Sequence, residues 1–117
     1  IKLVAISDDA RKLSRVRAKV EEIDSVDVTS SGSNNFEVVA KGISKGKALE
    51  FLSGKLGINK DEIIAIGDNE NDSSMLQYAG LAVAMGNAER TIKDMADFIT
   101  LTNEEDGVAE AIKKFIF

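Results

Sequence analysis

The chain has 117 residues, 44% of them hydrophobic, a formal net charge of −5, and neither cysteine nor histidine. That length holds one small domain and is marginal for two, and the acidic balance argues against a non-specific nucleic-acid binder, which needs a basic stripe. Disulfides, thiol or imidazole catalysis and cysteine zinc sites are excluded, so any chemistry runs on carboxylates, lysine, hydroxyls, amides or metal-bound water.

No apolar run approaches the roughly 20 residues of a membrane-spanning helix, and no signal peptide opens the chain. A cytoplasmic setting without a membrane partner is expected. The chain starts at Ile1, already inside an apolar run, which raises the expectation of a fragment or a processed product.

Residues 2–6 read as a strand. Ser7-Asp8-Asp9 follows as a helix start, with Ser7 expected to cap free amides and the acids suiting the positive helix end. Asp8 and Asp9 could be read as catalytic acids after a strand, yet capping accounts for them. Leu13, Val16, Val20 and Ile23 recur at helical spacing. Arg11, Lys12, Arg15, Arg17 and Lys19 crowd the same helix, as a solvated face or as a contact for an anionic substrate. Residues 25–30 and 36–40 alternate polar and apolar around a turn at 31–35, predicting an antiparallel hairpin with one wet face. Residues 1–42 thus form a small α+β unit.

From residue 43 onward helices alternate with continuous apolar strands, the mark of a parallel α/β layer. Ser44 caps a helix whose expected buried face is Ala48, Leu49, Leu52 and Leu56, and Gly57 stops it. Asn59 and Glu62 have the spacing of a capping box. The run at 63–67 lacks alternation and predicts a strand buried on both faces. A helix from about 73 to 79, a second such strand at 81–85, a helix capped by Asn87 and carrying Ile92, Met95 and Ala96, and a third strand at 98–101 follow. An acidic loop at 103–107 precedes a last helix with Val108, Ala111, Ile112 and Phe115.

The chemistry gathers after the first core strand, where Gly67-Asp68-Asn69-Glu70-Asn71-Asp72 crowds acids and amides at its carboxyl end. Ligands of open α/β sheets sit there. Asp68, Asn71 and Asp72 offer oxygen donors that suit a hard cation such as Mg²⁺. Asp68, Glu70 and Asp72 also fall at positions one, three and five of a calcium loop. Ser73 and Ala79 stand where that loop needs glycine and glutamate, which sets it aside. Capping by one of the acids explains one polar residue but not four. Lys45 lies at a helix amino end, unfavourable unless an anion is near. It and the amides of that turn would seat a phosphate, with Lys47 as the substitute.

These motifs in order, Ile43-Ser44-Lys45-Gly46, Ile66 to Asp72, Ala84-Met85-Gly86-Asn87-Ala88, Ala96-Asp97 and Glu105-Asp106-Gly107-Val108, are similar to the carboxyl-terminal part of the haloacid dehalogenase superfamily. They look specifically like Cof-type sugar-phosphate phosphatases with an inserted cap. The resemblance implies an α/β fold: a partial Rossmann-like three-layer α/β/α core with parallel strands over residues 43–117, and the end of an α+β cap over residues 1–42. It implies that Lys45 neutralises nucleophile and phosphate, that Asp68 binds Mg²⁺, that Asn71 contacts phosphate and that Asp72 supports the metal site.

The family's nucleophilic Asp-x-Asp pair and its phosphate-holding serine or threonine are absent, and Asp8-Asp9 has the wrong spacing. The expectation is therefore a fragment of a Mg²⁺-dependent phosphatase that hydrolyses small phosphorylated metabolites through an aspartyl-phosphate, inactive on its own. The alternatives are a binding or interaction module that keeps the fold, and a receiver-like domain, whose acidic pair should follow the first strand. Besides the metabolite, expected partners are the missing amino-terminal part or a second copy along an exposed sheet edge.

Overall fold

Residues 1–117 are described by the computed structural model, in two units, Ile1–Ile43 and Ser44–Phe117. The first contains strand β1 (Leu3–Ile6), helix α1 (Ala10–Glu21), β2 (Val26–Thr29) and β3 (Asn35–Ala40). β3 is the middle strand, antiparallel to both neighbours, in the order β1-β3-β2. Register puts Val38 between Leu3 and Val28, and Phe36 opposite Ala5. Phe36 is 2% exposed. On the opposite face Glu37 is buried and pairs with the Lys2 ammonium at 3.1 Å. The predicted hairpin is present, its turn closed by the Ser30 hydroxyl donating to the Gly32 carbonyl at 2.6 Å. Ser7 is not the helix cap. α1 starts at Ala10, so the capping position falls on Asp9, whose Oδ1 accepts from the Lys12 amide at 3.0 Å, while Ser7 Oγ accepts from the Asp9 amide.

The second unit opens with α2 (Lys45–Leu56), capped by Ser44, whose Oγ accepts from Lys47 N, and ended by Gly57 at φ 68°. Its expected buried face is not buried. Leu52 and Leu56 are 52% and 63% exposed, and the residues α2 buries are Gly46 and Ser53, which lie against the next helix, α3 (Ser73–Tyr78). The capping box stands, with Glu62 Oε2 accepting from Asn59 N at 2.9 Å.

Strands β4 (Ile64–Gly67), β5 (Leu81–Ala84) and β6 (Phe98–Ile99) form a parallel sheet in the order β4-β5-β6. β5 is buried as its unalternating sequence predicts, with Val83 and Ala84 at 0% exposure. β4 departs from the expectation: Ala65 and Gly67 are buried, while Ile64 and Ile66 remain half-buried. β4 lies at the sheet edge with β5 as its one neighbour.

Helix α4 (Arg90–Met95) begins on Glu89, not on Asn87, whose Oδ1 instead accepts from the distant Asn103 N at 2.9 Å. β6 is shorter than predicted, although Thr100 N still donates to Ala84 O. The last helix, α5 (Gly107–Phe115), sets Phe115 edge-on against Phe98 at 5.2 Å. Ala65, Leu76, Ala82, Ala84, Met85, Ala88 and Ile92 form one buried hydrophobic cluster. No helix is long and apolar enough to cross a membrane.

Candidate functional site

β4 ends at Gly67, and the chain folds back through a short 3-10 turn, Glu70–Asp72, closed by Asp72 N donating to Asn69 O at 2.9 Å. The fold-back presses Asp72 against the strand end. A Cβ on residue 67 would lie 2.5 Å from Asp72 Cβ and 2.9 Å from its Oδ2, so glycine is required there by space alone. Asp72 is 4% exposed. Its Oδ2 accepts from the amides of Asp68 at 3.0 Å and Asn69 at 3.3 Å, and its Oδ1 forms an ion pair with the Lys45 ammonium. Burial pushes the Asp72 carboxyl up, but the Lys45 ammonium and the two amides outweigh it and hold the group below its ordinary 3.8.

Lys45 comes from the first turn of α2 and reaches Asn71 as well, whose Oδ1 accepts from Nζ at 3.4 Å. The Asn71 amide N–H groups have no acceptor within the chain. Asp68 is half-buried and its carboxylate has no internal partner. Its backbone is held: Glu89 N donates to Asp68 O at 3.0 Å and Met85 N to Gly67 O at 3.0 Å, so the segment after β5 fixes the end of β4.

Lys45 contacts both Asn71 and Asp72, and Asp68 joins Asp72 through its amide. Lys47 is elsewhere, paired with Glu50 at 2.7 Å on the surface. Asp9 belongs to the α1 cap. Two amides of the α2 first turn are engaged, Lys47 N by Ser44 and Gly46 N by Ser74 at 2.9 Å, so that turn offers an anion less backbone than its sequence suggests. Ser74 and the amide of Glu89 escaped the sequence reasoning. A glycine in the first turn of a helix, where propensity disfavours it, was the one available hint of the close approach at Gly46.

Mg²⁺ takes oxygen ligands and keeps several waters. The unpartnered Asp68 carboxylate at a strand mouth suits it as one ligand, and buried Asp72 adds negative charge nearby. Both Asp72 oxygens already accept hydrogen bonds, and no three acidic side chains of the chain converge. The donors present fit part of such a site.

A profile of haloacid dehalogenase-like hydrolases matches residues 1–112. The chain is 43% identical over 109 residues to a 5-amino-6-(5-phospho-D-ribitylamino)uracil phosphatase, YcsE, of Bacillus subtilis, covering 93% of this chain and 43% of that protein. It is 45% identical over 98 residues to the phosphatase YwpJ of the same organism, covering 84% of this chain and 34% of that protein. Among solved structures it is similar to a haloacid dehalogenase-like hydrolase from B. subtilis, at a TM-score of 0.91 and 40% identity over 99% of this chain and 40% of that one. It is also similar to a sugar phosphatase of subclass IIB of this superfamily, at a TM-score of 0.83 and 31% identity, covering 98% of this chain and 43% of that one. The chain thus spans between about a third and two fifths of the length of these relatives. On the profile match, the identities and the shared fold, the chain belongs to the haloacid dehalogenase-like hydrolases.

Proposed function

We propose that this chain is the metal- and phosphate-stabilising part of a cytoplasmic, Mg²⁺-dependent phosphatase that hydrolyses small phosphorylated metabolites through an aspartyl-phosphate. The nucleophilic Asp-x-Asp would be supplied from outside this sequence. The observation that carries the reading is the cluster at the carboxyl end of β4: a lysine ammonium, an amide with unused N–H groups, a buried carboxylate and an unpartnered one. Lys45 offers its charge to a phosphoryl oxygen, and the Asn71 N–H groups donate to one. Asp68 would hold the cation. Mg²⁺ supplies neutralisation and orientation of the phosphoryl oxygens. Asp72 supports the metal site through its charge and keeps Lys45 and the strand-end amides in place. No carboxylate of this chain is set up as a nucleophile beside them, so the chain alone is expected to be inactive.

The test is Mg²⁺-dependent phosphate release from a panel of phosphomonoesters. The panel includes sugar phosphates and the ribitylaminouracil phosphate for which the B. subtilis relative is named. It is run on this chain alone and on a protein in which an Asp-x-Asp segment precedes it. Release by the longer protein only is expected. There Lys45→Ala and Asp68→Ala should each lower turnover by roughly two orders of magnitude or more, the scale of losing one preorganised electrostatic partner. Asn71→Ala should cost less, because it removes a neutral hydrogen bond. Turnover by the short chain at an ordinary enzyme rate would overturn the division of labour. A folded longer protein inactive on the whole panel would favour a binding module with the same fold.

A further inference from the structure

Ser74 has no part in the reading above. Its Oγ accepts the Gly46 N–H at 2.9 Å, an amide of the first turn of α2, where the helix itself provides no acceptor. Gly46 is buried, and a Cβ there would lie 2.7 Å from the Ser74 carbonyl carbon and 2.9 Å from Ser74 Cβ. The first turns of α2 and α3 therefore meet too closely for a side chain at residue 46. Lys45 directly precedes Gly46, and Asn71 and Asp72 directly precede Ser73-Ser74. The same two helices are tied once more further along, where the Ser53 and Tyr78 hydroxyls share a 2.8 Å hydrogen bond.

We propose that Ser74 is a positioning residue for Lys45. Its hydroxyl sets the register of the α2 first turn on α3, and that register holds the Lys45 ammonium against Asp72 and Asn71. Lys45 is half exposed and carries a long flexible stem, so its order comes from the place where its backbone is anchored. Hydrogen bonds weaken steeply as their distance and angle depart from the preferred range, so a shift of the α2 first turn weakens the hold of Asp72 and Asn71 on the ammonium. The ordering of Lys45 is a property of this chain. Only its catalytic consequence rests on the phosphatase reading.

The readout is the Lys45 ammonium itself, in the 117-residue chain labelled with ¹⁵N and ¹³C. The unaltered chain should show a scalar coupling across the ion pair, from Lys45 Nζ to Asp72 Cγ, and a slowly exchanging Gly46 amide. Ser74→Ala should abolish the coupling and speed Gly46 exchange by about tenfold or more, the scale of one lost hydrogen bond, with the β5 resonances unmoved. Ser74→Thr, which keeps the hydroxyl, should retain both signals. Tyr78→Phe removes the other tie between the helices and should leave the coupling intact, whereas a general packing role for the α2–α3 contact would make it behave like Ser74→Ala. Persistence of the coupling in Ser74→Ala overturns the proposal, as does its loss in Ser74→Thr or in Tyr78→Phe. A freely exchanging Gly46 amide in the unaltered chain overturns it without any variant. None of these measurements uses turnover, so a failure here and a failure of the phosphatase reading are told apart.

Discussion

Asp72 is a buried carboxylate that stays ionised because three donors meet it: Lys45 on one oxygen, and the amides of Asp68 and Asn69 on the other. Burial raises its pKa, and the donors more than reverse that. A carboxyl whose folded-state value lies below its unfolded one stabilises the protein above about pH 4, and that stabilisation is lost as pH falls through the folded-state value. Urea unfolding across a pH series should therefore show stability declining below the ordinary 3.8 of Asp72. In Asp72→Asn the decline should be shallower and the neutral-pH plateau lower, because a neutral amide then faces the Lys45 ammonium. Equal acid loss in both proteins would remove Asp72 as the source. Two glycines of α2 give a second, paired test. Nothing lies within 4 Å of a Cβ at residue 54, so Gly54→Ala should stabilise by about 0.5–1 kcal/mol. Gly46→Ala gains the same propensity but drives its Cβ into the Ser74 backbone, and the overlap should win by about 1–3 kcal/mol. Thermal unfolding of the two variants with opposite signs is the expected result.

At the level of elements, the sequence was informative where the cause was local. Ser44, Gly57 and the Asn59–Glu62 box act within a turn or two of themselves, and each appears where its pattern puts it. Asn87 has the same capping chemistry, but its Oδ1 serves an amide 16 residues away, which no local pattern reveals. Ser74 was invisible for the same reason, since its partner lies 28 residues off. Gly67 to Asp72 could be singled out because a run of polar residues directly after an apolar strand exceeds what capping the next helix requires. The apolar pattern of α2 marks a face suited to burial without naming what buries it, and here the helix uses Gly46 and Ser53 instead. The energetic consequence is checkable. Leu52 is 52% exposed, so Leu52→Ala should cost under about 1 kcal/mol in the isolated chain. Ile92 sits at 1% exposure in a helix of six residues, and Ile92→Ala should cost about 2–5 kcal/mol. A Leu52→Ala loss as large as that of Ile92→Ala would mean that the α2 face is covered in solution.

For the molecule as a whole, the buried apolar side chains are unevenly shared. Of the ten buried hydrophobic residues, Phe36 alone lies in the Ile1–Ile43 unit. A unit of that length buries a small fraction of its surface and is marginal without staples, and the chain has no cysteine to supply one. The first unit also buries Glu37, which pairs with a half-exposed Lys2. The second unit holds β5 between two strands, with Val83 and Ala84 inaccessible. Regions with few buried apolar contacts open at free energies below the global one. Amide hydrogen exchange at neutral pH should therefore rank the strands, with β5 slowest and the amides of β1 and β3 faster by roughly 100-fold or more, the ratio set by about 2.7 kcal/mol of opening free energy. Phe36→Ala sharpens the test. It removes the one large side chain that the first sheet fully encloses, a change of about 3–5 kcal/mol where a core can be measured. Protection in β1 to β3 should vanish while that of β5 stays as it was. Equal protection in β1 to β3 and β5 before the substitution, or loss of β5 protection after it, would show that the two units open as one.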